Sequence, residues 1–260
     1  MWGAVIGDLA GSVYEYHQSK RTTLIDVTNL MDEKSFFSDD TILTMAVYDA
    51  ILHDKDYEKY LRMYGKRYLD YKPSTGTENY FASPFSRGFV KWLTGEGSNT
   101  SIGNGAMMRI SGVGFMFDYV EDVIQNARAA TIPSHNSKEA VECATKVALV
   151  IYYARMGMSK GEIYNQLGLK SVAYKPFHKF NTSCSETIDN CLYAVFTSSN
   201  FEEAIKKVIG FGGDTDTNAC IVGAMAESLY GIPSYFIHKA RRKLPEDFVK
   251  ILDKAYELKK

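Results

Sequence analysis

The chain has 260 residues, 45% of them hydrophobic, and a formal net charge of −1. That is enough apolar material to bury one large core, and with no linker to divide it a single domain over residues 1–260 is expected. The balanced charge excludes a general binder of nucleic-acid backbones or anionic membranes, and no uncharged apolar run is long enough to span a bilayer.

The N-terminal run is apolar but carries Gly7-Asp8-Leu9-Ala10-Gly11-Ser12, followed by Tyr14-Glu15. With Asp8 inside it and no basic stretch ahead of it, this run does not read as a signal peptide. Its glycines suit close helix packing. Ser38-Asp39-Asp40-Thr41 then opens an apolar stretch. From Asp56 to Tyr71, the residues Tyr57, Tyr60, Leu61, Tyr64 and Tyr68 recur at helical spacing and predict an amphipathic helix. Lys72 to Gly105 is rich in Pro, Ser, Thr, Gly and Asn and predicts a long irregular region, broken by a short helix near Phe89 to Leu93. Such loops in a compact domain are usually functional or disordered. This one ends in Ser101-Ile102-Gly103-Asn104-Gly105-Ala106, where free backbone N–H groups would suit an anion.

A helix is predicted from Tyr119 to Ala130, stopping before Pro133, and His135 lies just ahead of the next one. Asn136 with Glu139 reads as a capping box opening the run Val141 to Met156, which Gly157 ends. Lys170 to Ser185 reads as a surface excursion without a role. Gly212-Gly213 lets the backbone turn tightly before Asp214-Thr215-Asp216, whose acids, two apart in an extended loop, can point to one side. Thr217 or Asn218 would cap a helix whose Ala219, Gly223 and Ala226 form a small-residue stripe for close packing. From Pro245 onward, Phe248, Ile251, Leu252, Ala255 and Leu258 predict a last amphipathic helix. Strand-like alternation never persists. The expected fold is therefore all-α, a compact multi-helix domain with functional residues on loops and at helix N-termini. Cys143, Cys184, Cys191 and Cys220 form no Cys-x-x-Cys pair and read as reduced core residues of a cytoplasmic protein.

The two acidic stretches carry the chemistry. Carboxylates and hydroxyls are ligands for hard cations such as Mg²⁺ and Mn²⁺, and adjacent acids such as Asp39 and Asp40 can diverge toward two ions. Plain helix capping competes with this reading at each stretch, since an Asp or Ser cap contributes about 0.5–2 kcal/mol without any metal. A cap needs one side chain, however, and each stretch offers two acids. Four carboxylates near two positive helix ends leave charge to spare for cations. The Gly-Asn-Gly segment is open to a plain-turn reading, and His135 alone to a structural one.

Taken together and in order, Gly7-Asp8-x-x-Gly11-Ser12-x-Tyr14-Glu15, Ser38-Asp39-Asp40-Thr41, Gly103-Asn104-Gly105-Ala106-Met107-Met108-Arg109, Ser134-His135 and Gly212-Gly213-Asp214-Thr215-Asp216-Thr217-Asn218-Ala219 resemble the ADP-ribosylglycohydrolase family. The resemblance implies an all-α fold that holds two Mg²⁺ or Mn²⁺ ions through Ser38, Asp39, Asp40, Asp214, Asp216 and Thr217. It implies that Ser101, Gly103, Asn104 and Gly105 bind the diphosphate of ADP-ribose, with His135 fixing the phosphate or the distal ribose. Glu15 matches an acid that, in the serine-directed branch of the family, covers the metals until substrate arrives. The activity implied is metal-dependent hydrolysis of the bond between the distal ribose and an acceptor on a protein or small molecule, releasing ADP-ribose. Asp39, Asp40, Asp214 and Asp216 would offset the ions' charge and orient the attacking water, and the general base is either Glu15 or a metal-bound aspartate. The chain departs from the family pattern at Ser38, where threonine is commoner, and at Met107, where a small residue often stands. A two-metal phosphatase or pyrophosphatase, and a non-catalytic ADP-ribose binder, are the rival expectations, and a monomer is favoured.

Overall fold

A computed structural model of the chain describes residues 1–18, 26–73, 83–169 and 180–260. Among them the fold is all-α, with two isolated bridges, Thr100 with His135 and Gly103 with Ser183, as its only extended pairings. The helices are α1 (Trp2–Gln18), α2 (Asp39–Leu52), α3 (Tyr57–Arg67), α4 (Arg87–Thr94), α5 (Gly105–Met108), α6 (Ser111–Met116) and α7 (Val120–Thr131). They continue as α8 (Lys138–Arg155), α9 (Lys160–Gln166), α10 (Cys184–Phe196), α11 (Phe201–Gly210), α12 (Thr215–Tyr230), α13 (Ser234–Arg241) and α14 (Glu246–Glu257). One buried apolar cluster runs through them from Met1 to Ala255. None of these helices is long and apolar enough to cross a membrane.

The centre of the fold is the pair α1 and α12. Gly3, Gly7 and Gly11 fall four residues apart and so share one face of α1. That face lies directly on the α12 backbone: a Cβ on Gly7 would sit 1.9 Å from the Ala219 carbonyl oxygen, and one on Gly11 2.3 Å from that of Thr215. Gly3 and Gly223 are in mutual contact, since a Cβ on either would come within 2.1 Å of the other's carbonyl oxygen. The stripe predicted on Ala219 and Gly223 thus has a matching glycine stripe as its neighbour. Thr215 Oγ1 donates to the Gly11 carbonyl at 2.9 Å and ties the two helices at the end where the acids lie.

Helix boundaries differ from the sequence reading at three functional places. Helix α8 is capped by Ser137, which accepts from the Ala140 amide, and not by Asn136. The Asn136 amide is bonded to the Asn99 carbonyl, and Glu139 accepts from the Ser185 amide, so neither is free to form the predicted box. Helix α12 begins at Thr215 with Asp214 as its N-cap. Thr217 and Asn218 lie inside its first turns, and Asp216 sits on helix where an extended loop was expected. Gly212 and Gly213 both adopt positive φ, +78° and +75°, which is the tight turn their sequence predicts. Of the irregular region Lys72 to Gly105, residues 74–82 lie outside the described residues, as do 170–179 of the excursion Lys170 to Ser185.

Candidate metal centre and active site

Three helix segments converge on one point. Helix α1 supplies Asp8 and Glu15 from its length, α2 supplies Ser38, Asp39 and Asp40 from its N-terminus, and α12 supplies Asp214, Asp216 and Thr217 from its own. Carboxylate oxygens of Asp8, Asp40 and Asp216 lie within 4.8 Å of one another, and so do those of Glu15, Asp214 and Asp216. Asp216 belongs to both groups. Asp39 belongs to neither; it is half-buried and lines a mouth of about 50 Å³ with Glu15, Asp216, Ser38, Phe36, Phe37, Tyr71, Pro73 and Pro84.

Asp8 is the member that sequence reasoning did not put in the site. Buried in mid-helix, it accepts from the Ser38 amide (2.9 Å), the Thr41 amide (3.1 Å), the Thr41 hydroxyl and, at 2.9 Å, the Ser38 hydroxyl. It therefore caps α2 from another helix, filling donors that would otherwise be orphaned there. An acid among glycines and apolar residues was the available signal. Asp40 accepts from Thr217 Oγ1 at 3.1 Å, while its Oδ1 is fully buried without any protein partner.

Burial is the largest cause, and the charge of Asp216 the next, that pushes these acids upward. Asp8 rises from the ordinary 3.8 to about 7, and Glu15, Asp39, Asp40 and Asp214 rise well above the usual carboxylate range. Buried like charges repel unless a proton or cation intervenes. An orphaned carboxylate oxygen, an all-oxygen donor set and this repulsion together fit hard divalent cations.

The same shifts predict a pH dependence. Asp8 holds its proton more tightly in the folded chain, so the stability this contributes is full below about pH 4 and is lost as pH rises through about 7, and the other raised acids act in the same direction. The melting temperature of chelator-treated protein is expected to fall between about pH 5 and pH 8. If the acids bind Mn²⁺, the ion at a hundred times its Kd would stabilise by about 2.7 kcal/mol, a rise of roughly 5–10 °C in a chain of this size. That gain should be larger at the alkaline end, and a scanning-calorimetry series showing no cation effect would contradict the fit.

The loop Ser101–Gly105 joins the acids through one residue. Asn104 Nδ2 donates to Asp214 Oδ2 at 2.7 Å and to the Asn181 carbonyl at 3.4 Å. Its amides are less free than expected: Gly103 N–H is bonded to Ser101 Oγ and Asn104 N–H to the Thr182 carbonyl. Gly103 packs closely here: a Cβ would lie 3.1 Å from Ser101 Oγ and 3.4 Å from His135 Nε2. His135, buried beside this loop, is fixed from behind. Arg109, fully buried, donates to Ser134 Oγ at 2.8 Å, and Ser134 Oγ lies 2.8 Å from His135 Nδ1. Burial first, and the Arg109 charge second, hold the imidazole well below its usual pKa, so it is neutral at physiological pH.

The excursion assigned no role in the sequence contributes Asn181, 1% exposed, whose Oδ1 accepts from the Asp214 amide at 2.9 Å. A separate concavity of about 690 Å³, lined by residues such as Arg62, Trp92 and Asn99, shares no residue with the acids. Convergence of buried charge marks the site here, and cavity size does not.

Comparison with known proteins accords with this geometry. The family model described as ADP-ribosylglycohydrolase matches residues 1–260. ADP-ribosylhydrolase ARH3 of Mus musculus is 23% identical over 88% of this chain and 82% of its own length. ADP-ribosylarginine hydrolase Tri1 of Pseudomonas putida (strain GB-1) is 23% identical over 88% of this chain and 69% of its own. A solved structure titled ADP-ribosylglycohydrolase-related protein complex superposes with a TM-score of 0.71 at 19% identity, covering 98% of this chain and 95% of that one, and shares its fold. With its full length matched and its acids converging from three helices, this chain belongs to the ADP-ribosylglycohydrolase family.

Proposed function

We propose that the chain is a hydrolase of ADP-ribosyl bonds that works with two Mg²⁺ or Mn²⁺ ions, acts as one domain over residues 1–260, and releases free ADP-ribose from an arginine or serine side chain or a related acceptor. The observation that carries this reading is the link between two segments: Asn104, in the loop that the family resemblance assigns to the diphosphate, is bonded directly to Asp214 of the carboxylate cluster. In this reading Asp40, Asp214 and Asp216, with Ser38, Thr217 and Asp39, hold the ions, and Asp8 joins them. Divalent cations held there would offset the carboxylate charge and supply Lewis-acid activation of a water.

The remaining work falls to the chain itself. Hydrolysis moves positive charge onto the ribose and negative charge onto the leaving group while water adds at the anomeric carbon. Glu15 takes a proton from that water; it stands half-buried at the mouth, and burial, then the Asp216 charge, raise its proton affinity above that of an ordinary carboxylate. Neutral His135, its Nε2 facing Gly103 and Gly105, and Ser101 hold the diphosphate end. The apolar wall of Phe36, Phe37 and Tyr71 keeps bulk water from the reacting bond, Phe37 and Tyr71 being stacked at 4.6 Å.

A panel of arginine-, serine- and nucleic-acid-linked ADP-ribose substrates, assayed with Mg²⁺ and with Mn²⁺, tests the proposal. Free ADP-ribose without inorganic phosphate is the expected product, from at least one protein-linked substrate. Phosphate release would assign the site to the phosphatase class instead.

A further inference from the structure

Asn181 lies between the two halves of the site, and its side chain is used completely. Oδ1 accepts from the Asp214 amide at 2.9 Å and from Asn218 Nδ2 at 3.3 Å. Nδ2 donates to Thr187 Oγ1 at 2.7 Å and to Asn218 Oδ1 at 2.9 Å. These four bonds exhaust the capacity of a carboxamide. They also fix its orientation, because the Thr187 hydroxyl gives its own hydrogen to the Ser183 carbonyl and can only accept from Asn181. Asn218, fully buried, pairs with Asn181 amide to amide and reaches back to the Gly212 carbonyl. The turn that presents Asp214 is thus held at both ends by one amide pair.

The backbone of the same residue faces the other half. The Asn181 carbonyl accepts from Asn104 Nδ2, and the next residue's carbonyl accepts from the Asn104 amide at 2.8 Å. Gly103 and Ser183 complete a short antiparallel bridge. A single position therefore touches the amide of Asp214 through its side chain and the carboxamide of Asn104 through its main chain, while Asn104 itself touches the Asp214 carboxylate.

We propose that Asn181 is a positioning residue, which locks Asp214 and Asn104 into one geometry so that cation binding and diphosphate binding are properties of a single rigid unit. No atom of Asn181 needs to meet substrate. Its amide sets the direction of the Asp214 carboxylate, and through Asn104 it sets where the loop stands relative to the ions. Removing the side chain leaves the Asp214 amide and both Asn218 amide atoms short of partners in a dry interior, where no water replaces them without cost. The inference rests on the two-cation reading of the site.

The test is calorimetric titration of chelator-stripped protein with Mn²⁺, paired with KM and kcat on an ADP-ribosylated peptide, for wild type, Asn181→Ala and Tyr230→Phe. Partners that orient a metal ligand typically govern 10–100-fold in affinity, so Asn181→Ala is expected to weaken Mn²⁺ binding at least about tenfold and to raise KM as well as lower kcat. Tyr230→Phe, which removes hydroxyl contacts to Val195 and Ser198 away from the site, should lower the melting temperature and leave Mn²⁺ binding unchanged. Where alanine does not fold, Asn181→Ser keeps a hydroxyl in the space and reads the same quantities. An Asn181 variant that melts lower yet binds Mn²⁺ with wild-type affinity overturns this inference alone. Wild-type protein that takes up no Mn²⁺ overturns the cation reading and this inference with it.

Discussion

Asp216→Asn is expected to reduce kcat/KM by at least about a thousandfold, equivalent to roughly 4 kcal/mol of transition-state stabilisation, while leaving the fold intact or more stable. Asp216 is shared by both three-acid groups among the described residues, so under the proposed two-cation reading its loss would weaken both positions at once. Asparagine keeps the shape and one oxygen, including the acceptor for the Thr217 amide at 2.8 Å. It also removes the charge that is the leading repulsive neighbour of Asp8, Glu15, Asp39, Asp40 and Asp214. Kinetics and melting should therefore move in opposite directions. A variant that retains more than a tenth of wild-type kcat/KM would show that Asp216 is not the shared ligand.

Gly7→Ala is expected to do the reverse, harming the scaffold first and activity as a result. The added methyl would lie 1.9 Å from the Ala219 carbonyl oxygen, 2.3 Å from its carbon and 2.7 Å from the Cys220 nitrogen. All three are backbone atoms of α12, so no rotamer change relieves the clash, and α1 must move off its partner. Overpacking of cores costs about 1–3 kcal/mol even where side chains can yield. Here about 3 kcal/mol or more is expected, a fall of roughly 6–12 °C in melting temperature. Because α1 carries Asp8 and Glu15, turnover should fall along with stability. Gly161→Ala, in α9 with open space around it, is the matching control and should be neutral or slightly stabilising. Unchanged melting of Gly7→Ala would contradict the close contact of α1 and α12.

What could be read in the sequence was what local spacing encodes. Helical spacing located α3, α7 and α14, with α3 ending at Arg67 and not at the expected Tyr71, and the small residues of α12 announced a close neighbour without naming it. That neighbour, the Gly3, Gly7 and Gly11 face of α1, is itself regular, but nothing local tells which of two small-residue faces meets which. The cap of α8 was misread by one position because Asn and Ser are comparable caps; a bond from the Asn136 amide to Asn99, remote in sequence, decides between them.

Site residues divide along the same line. The paired acids at Asp39, Asp40, Asp214 and Asp216 stood out because each stretch held one carboxylate more than a cap requires. Asp8 was visible as an acid in an apolar run, yet its task depends on the N-terminus of α2 arriving beside it. Asn181 carried no signal at all. A polar residue in a polar stretch reads as surface, and only the tertiary fold buries it against Asp214 and Asn104. Likewise the amides of Gly103 and Asn104 are free in sequence terms but are taken up by Ser101 and Thr182 in the fold.

The converging carboxylates are proposed to hold the cations on which hydrolysis of an ADP-ribosyl bond depends. The most direct measurement is release of ADP-ribose from the best substrate of the panel by protein stripped with chelator and then titrated with Mn²⁺. No release is expected in chelator and full recovery on adding the ion, with Asp216→Asn failing to recover. Release of ADP-ribose that continues undiminished in chelator would contradict it.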